Sequence, residues 1–125
     1  MTLLIDAHVL VWWLAGDQAL SPEVRSAIAD PANDVLVSAA TIWELAIKRA
    51  KGKIRLPAEL SAAVDAAGFS SVPVTAEDAE TSAELPAHHQ DPFDRMLVAQ
   101  ARRLGAILVS RDAAFDAYGV DILRT

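Results

Sequence analysis

The stretch His88-His89-Gln90-Asp91-Pro92-Phe93-Asp94-Arg95-Met96-Leu97-Val98-Ala99 decides how this chain is read. Asp91 followed by Pro92 marks a helix start: a carboxylate at the cap accepts from exposed amides, and proline is tolerated in the first turn. The spacing predicts a helix to about Leu104, stopped by Gly105. Asp94, Val98, Ala101 and Gly105 fall on one stripe of it, with Leu97 and Leu104 alongside. An acid therefore heads the face that should turn inward, and a buried lone carboxylate needs a partner. Alone, Asp94 also fits the third-residue acid of a capping box opened by Asp91.

Toward the C-terminus, Ala106-Ile107-Leu108-Val109 is a short apolar run that reads as a buried strand, followed at once by Ser110-Arg111-Asp112. A short helix over Ala113 to Tyr118 and a last strand over Val120 to Leu123 complete this end. Upstream, Pro86 to Gln90 is a loop. Thr75-Ala76-Glu77-Asp78 is a cap and an acidic first turn for a helix reaching Leu85. Phe69 to Val74 reads as a strand whose Pro73 puts it at a sheet edge or at the strand end. Helices are predicted over Ala58–Ala67 and Thr41–Lys51, and a strand over Asp34–Ser38. Ser21-Pro22 opens a helix that stops near Asp30-Pro31. At the N-terminus, the strand Leu3-Leu4-Ile5 runs into Asp6, and a helix follows from Ala7 to about Ala15. Apolar strands alternating with helices imply an α/β protein: a central, mostly parallel sheet of four or five strands, covered on both faces.

The 125 residues fit one domain, spanning 1–125, with 53% hydrophobic residues and therefore a real core. No apolar run is long enough to span a membrane. The N-terminus lacks a basic region and meets an acid at position 6, which argues against a signal peptide. There is no cysteine, so neither a disulfide framework nor a thiolate metal site is expected, and a cytoplasmic location fits. The net charge of −6 disfavours non-specific nucleic-acid binding taken as a sum. Its distribution is uneven. Lys48, Arg49, Lys51, Lys53 and Arg55 crowd one segment, and the stretch from Leu56 to Ala87 has acids but no basic residue. Two solvated faces are the ordinary source of such a pattern.

In open α/β sheets, ligands bind beyond the carboxyl ends of the strands. Asp6 and Asp112 follow two strands, Glu44 lies one turn into the helix after another, and Asp94 begins the helix feeding the fourth. Each has an ordinary reading: Asp6 and Asp112 as caps, Glu44 as the i,i+4 partner of Lys48. Jointly they place carboxylates where one crevice would collect them. Two such charges ~5 Å apart repel by about 3 kcal/mol at an effective dielectric of 20. A shared crevice therefore calls for a cation or for retained protons. Hard oxygen ligands without cysteine favour Mg²⁺, with Mn²⁺ also suited.

Leu3-Leu4-Ile5-Asp6, Trp43-Glu44, Asp91-Pro92-Phe93-Asp94-Arg95 and Ser110-Arg111-Asp112-Ala113-Ala114-Phe115 resemble, in order and spacing, the four blocks of PIN-domain nucleases. The likeness covers nearly the whole chain. It is to VapC-type toxins of toxin–antitoxin pairs, in a subgroup with a His-His-x-Asp-Pro-Phe-Asp-Arg block. The resemblance implies a three-layer α/β/α PIN-like fold and a Mg²⁺-dependent endoribonuclease. It implies an acidic cluster of Asp6, Glu44, Asp94 and Asp112, with Asp6 and Asp94 the most direct metal ligands. Asp91 matches the block but fits a cap better than a ligand. Ala7 departs from it, standing where relatives often carry Thr, so a supporting hydroxyl is missing there. The partners implied are RNA and a cognate VapB-type antitoxin, in a homodimer or a toxin–antitoxin hetero-oligomer.

Within that frame Lys48 and Lys51, on one helical stripe with Glu44, and Arg95 and Arg111, beside two of the acids, are candidate phosphate contacts. Solubility is the ordinary role for the two lysines. Trp12, Trp13 and Trp43 are candidates for the antitoxin surface, with core packing as the ordinary alternative. His88 and His89 read as a polar loop that at most orients a neighbouring carboxylate. Three competing readings are weaker. A haloacid-dehalogenase-type phosphatase needs Asp where His8 stands. A receiver domain needs a lysine after a late strand, and none follows Ile107. A non-catalytic PIN-like binding module usually lacks some of the four acids.

Overall fold

The computed structural model describes all residues, 1–125. Five strands form one sheet: β1 (Thr2–Ile5), β2 (Asp34–Ser38), β3 (Ser70–Val72), β4 (Ile107–Ser110) and β5 (Ile122–Arg124). Their order is β3-β2-β1-β4-β5 and every pairing is parallel, so the sheet is wholly parallel. The helices are α1 (Ala7–Ala15), α2 (Pro22–Ala29), α3 (Ala39–Ala50), α4 (Leu60–Ala66), α5 (Ala76–Glu84) and α6 (Pro92–Leu104), with a 3₁₀ helix, α7, over Ala113–Tyr118.

Alternation along β1 sorts the core into two layers. Leu3 and Ile5 point to one face, with Val9, Leu10, Val24, Ile28, Leu45, Leu60 and Val64 from α1 to α4. Leu4 points to the other, with Leu97, Val98 and Ala101 of α6 and Phe115 and Tyr118 of α7. Successive side chains of a strand leave opposite faces, so a short all-apolar strand serves both layers. The result is the expected three-layer α/β/α arrangement. No helix is long and apolar enough to cross a membrane.

Most boundaries fall where the caps put them. Asp6, Ser21, Ser38, Thr75, Asp91 and Asp112 each accept an amide at the head of a helix. Gly16 and Gly105 close α1 and α6 in the left-handed conformation, with φ of 64° and 61°. The helix expected from Ala58 instead starts at Leu60, because Arg49 Nη1 claims the carbonyls of Pro57 (2.6 Å) and Ala58 (3.0 Å). β5 starts two residues late: Gly119, at φ 69°, closes α7 and the pairing places Ile122 beside Leu108. β3 ends just before Pro73, at the sheet edge, as its proline required.

The chain runs outward from β1 through β2 to β3, then crosses back to β4. The reversal lies between β1 and β4, where a crevice opens at the strands' carboxyl ends.

Candidate active site

That crevice is a cavity of about 370 Å³ lined by Asp6, His8, Trp12, Asp94, Arg111 and Asp112. Asp6 follows β1 and is buried, with 5% of its surface exposed. One oxygen caps α1 by accepting from the Val9 amide at 2.9 Å, and the other accepts from the Ser110 hydroxyl at 2.5 Å. Ser110 ends β4 and also accepts the Asp112 amide at 3.0 Å, so it ties the two strand ends together. The hydroxyl that Ala7 cannot supply thus arrives from the neighbouring strand. Sequence spacing does not reveal Ser110 in this role, since 104 residues separate it from Asp6. Burial pushes the Asp6 carboxyl above its ordinary range, opposed by the Ser110 and Val9 hydrogen bonds.

Asp94 enters from the first turn of α6. The capping box that its position allows does not form. Asp91 Oδ1 accepts from the amides of Phe93 (2.8 Å) and Asp94 (3.2 Å), but the Asp91 amide donates to His89 Nδ1 at 3.2 Å. The Asp94 side chain is left to face the cavity. Its carboxyl is pushed up to about 7, by burial first and then by the charge of Asp91; Asp6 and Glu44 add to this and His89 opposes it. The partner demanded by its inward position is His89, whose Nε2 lies 2.8 Å from Asp94 Oδ2 and 3.2 Å from Asp112 Oδ2. Asp112 caps α7 through Oδ1, which accepts the Ala114 amide at 2.9 Å. For Asp6 and Asp112, helix capping and cavity lining are one arrangement.

Glu44, expected with the other three acids, is not among the residues that line the cavity. Its charge is felt at both Asp6 and Asp94, yet Oε2 accepts from Lys48 Nζ at 2.9 Å, the i,i+4 pair legible in the sequence. Lys51, at the C-cap of α3, is exposed. Arg111 lies with its guanidinium 4.4 Å from the centre of the Trp12 ring and donates to the Ala19 carbonyl at 3.0 Å. It is fixed at the rim of the cavity with a cation–π contact beneath it. The expectation for Arg95 as a phosphate contact is corrected. Its guanidinium donates to the carbonyls of Ala83, Leu85, Pro86 and His89, and so clamps the loop before α6. An arginine so occupied has little left to offer a phosphate.

The tryptophans separate. Trp12 lines the cavity; Trp13, next to it on α1, turns toward Phe69 with ring centres 5.9 Å apart and packs against the core. Trp43 is 64% exposed and meets Phe93 edge-on at 5.4 Å. With Val74 and Met96 it borders a second, mostly apolar hollow of about 460 Å³. His88 packs against Tyr118 rather than on an acid.

The donor set is oxygen-rich and anionic, and Asp94 is raised first by its burial and then by the neighbouring acids. Carboxylates so placed match a hard divalent cation.

Known proteins resemble this chain in sequence and in fold. The PIN domain profile matches residues 3–121. Ribonuclease VapC22 of Mycobacterium tuberculosis is 33% identical over 114 residues, covering 89% of this chain and 87% of that one. The crystal structure of VapBC2 from Rickettsia felis, bound to a DNA fragment from their promoter, superposes with a TM-score of 0.72 at 13% identity, over 99% of this chain and 98% of the other. A toxin–antitoxin complex from Klebsiella pneumoniae gives a TM-score of 0.64 at 17% identity, over 96% and 94%.

Proposed function

This chain belongs to the PIN-domain family, and we propose that it is a divalent-cation-dependent endoribonuclease and the toxin of a toxin–antitoxin pair. The observation that carries the reading is the convergence of Asp6, Asp94 and Asp112 on one cavity at the sheet's reversal point, within reach of the Glu44 charge. The relation to a VapC ribonuclease supplies the substrate class.

Asp6 and Asp94 would hold Mg²⁺ or Mn²⁺, with Glu44 and Asp112 completing the oxygen set. A cation there supplies Lewis acidity and an activated water for phosphodiester hydrolysis. The protein's own contribution is orientation. Val9 and Ser110 fix both oxygens of Asp6, and Asp91 holds the first turn of α6 so that Asp94 points inward. Arg111, pinned on Trp12, faces the incoming phosphate, where a guanidinium pairs well with its oxygens. Glu44, Lys48 and Lys51 mark a path along α3 by which an acidic protein meets a polyanion. The Trp43, Phe93 and Val74 surface and the rim at Trp12 are the faces for a VapB-type antitoxin, in a hetero-oligomer or alongside a second copy of this chain. Such a toxin acts in the cytoplasm.

The test is cleavage of total RNA by the purified chain, with end-mapping and growth arrest on expression in cells. EDTA should stop cleavage, and added Mg²⁺ or Mn²⁺ should restore it. Cleavage that persists in chelator would reject the cation-dependent mechanism. No cleavage of any RNA with either cation, by protein that binds them, would favour a binding module.

A further inference from the structure

His89, Asp94 and Asp112 bring one ligand atom each within 4.8 Å of one another. By distance alone this is a His-Asp-Asp metal site. The hydrogen bonding of the ring assigns it differently.

A backbone amide can only donate, so the Nδ1 that receives the Asp91 amide at 3.2 Å carries a lone pair. The ring proton then sits on Nε2. That nitrogen is the one 3.2 Å from Asp112 Oδ2, with its N–H directed there, and 2.8 Å from Asp94 Oδ2. To ligate a cation, Nε2 would have to give up this proton. Moving it to Nδ1 would set two donors against each other at Asp91. The loop leaves the ring little room to escape. Tyr118 Oη accepts the His89 amide at 2.8 Å and donates to the Pro86 carbonyl at 2.7 Å; Arg95 Nη1 holds the His89 carbonyl at 3.1 Å; and Phe115 packs on the ring.

We infer that His89 is a positioning residue, not a metal ligand: its Nε2–H, locked by the Asp91 amide, holds Asp94 and Asp112 in register and leaves an all-oxygen cation site. The inference rests on the nuclease reading for the identity of what binds. It explains why the His89 loop is clamped so heavily. Asp94 comes from α6 and Asp112 from the end of β4, and the Nε2 of this ring lies within 3.2 Å of both carboxylates. A neighbour that orients a metal-binding carboxylate typically changes metal affinity by about 10–100-fold when removed.

The experiment has three readouts on the full chain. Nitrogen-15 NMR of the histidine rings, metal-free and with excess Mg²⁺, should show His89 protonated at Nε2 and bare at Nδ1 in both states. Pulsed EPR of bound Mn²⁺ should show no directly bonded nitrogen that disappears in His89→Gln. Mn²⁺ titration should show His89→Ala binding about 10–100-fold more weakly than wild type. His89→Gln, which keeps an N–H donor, should lie closer to wild type than to His89→Ala. A proton on Nδ1, a nitrogen coupling lost in His89→Gln, or unchanged Mn²⁺ affinity in His89→Ala would overturn the inference alone. The NMR and EPR arms need no alanine variant, so poor folding of His89→Ala does not shield it. A wild-type chain that binds neither cation would overturn the nuclease reading and this inference together, and the wild-type isotherm identifies that case.

Discussion

Asp94 concentrates the site's conflict between stability and chemistry. Its carboxyl is held up to about 7 in the folded protein, against about 4 for an unfolded chain. The folded state therefore binds more protons between those values, and this residue's contribution to stability falls as pH rises from about 4 to about 7. At neutral pH without cation, ionised Asp94 is a net cost to the fold. Asp94→Asn should abolish RNA cleavage while raising the thermal midpoint of the cation-free protein by several degrees, with much of the gain gone at pH 4.5. Paired calorimetry at the two pH values measures this, and a variant that still cleaves RNA would remove Asp94 from the site. Ser110→Ala makes the opposite case. It strips the donor from a buried oxygen of Asp6 and should cost about 1–3 kcal/mol in urea unfolding. A loss under 0.5 kcal/mol would show that this hydroxyl is not supporting Asp6.

Among the elements, α6 serves the site at its head and the fold along its length. Its cap, Asp91, satisfies two amides and donates its own to His89. Its middle, Leu97 to Ala101, is buried against the sheet and α5. The α5 contact is partly polar. Asp78, buried at 1% exposure, accepts from Arg103 Nε at 2.6 Å and Nη2 at 3.0 Å while completing the capping box with Thr75. Arg103 holds the Asp78 carboxyl below its ordinary range. A group so depressed stabilises the fold above about pH 4, its unfolded value, and loses that contribution as pH falls through the folded one. Asp78→Asn should therefore be less stable than wild type at pH 7, with a flatter loss of stability below pH 4. Urea midpoints from pH 7 to 2.5 test this; parallel curves would mean the Arg103 pair contributes nothing. A sequence reading finds the capping box but misses the ion pair, because Asp78 and Arg103 are 25 residues apart on different helices.

For the whole molecule, the question is how a chain of net charge −6 meets RNA. The basic side chains of the 48–55 segment do not act alike. Arg49 is tied to the Pro57 and Ala58 carbonyls and Lys48 to Glu44, while Lys51 is exposed. Lys48→Ala combined with Lys51→Ala should weaken RNA binding and flatten its logarithmic salt dependence by about one to two units. An unchanged slope, measured by titration across salt concentrations, would make both lysines bystanders.

What lay open in the sequence were features that depend on near neighbours. The caps, the glycine stops and the apolar strand runs are each set by a few adjacent residues, so the element order and the three-layer arrangement were readable. So were the positions of three acids at strand ends and a helix head, and of Glu44 within α3. The tertiary structure decided which distant donors those acids meet, Ser110 for Asp6 and His89 for Asp94 and Asp112, while the Lys48 partner of Glu44 was already legible one turn along its own helix. It also assigned Arg95 to loop carbonyls rather than phosphate. The reason is that a cap is closed within one turn of chain, whereas the partner of a buried charge is chosen by whichever distant strand or loop the packing brings within hydrogen-bonding reach.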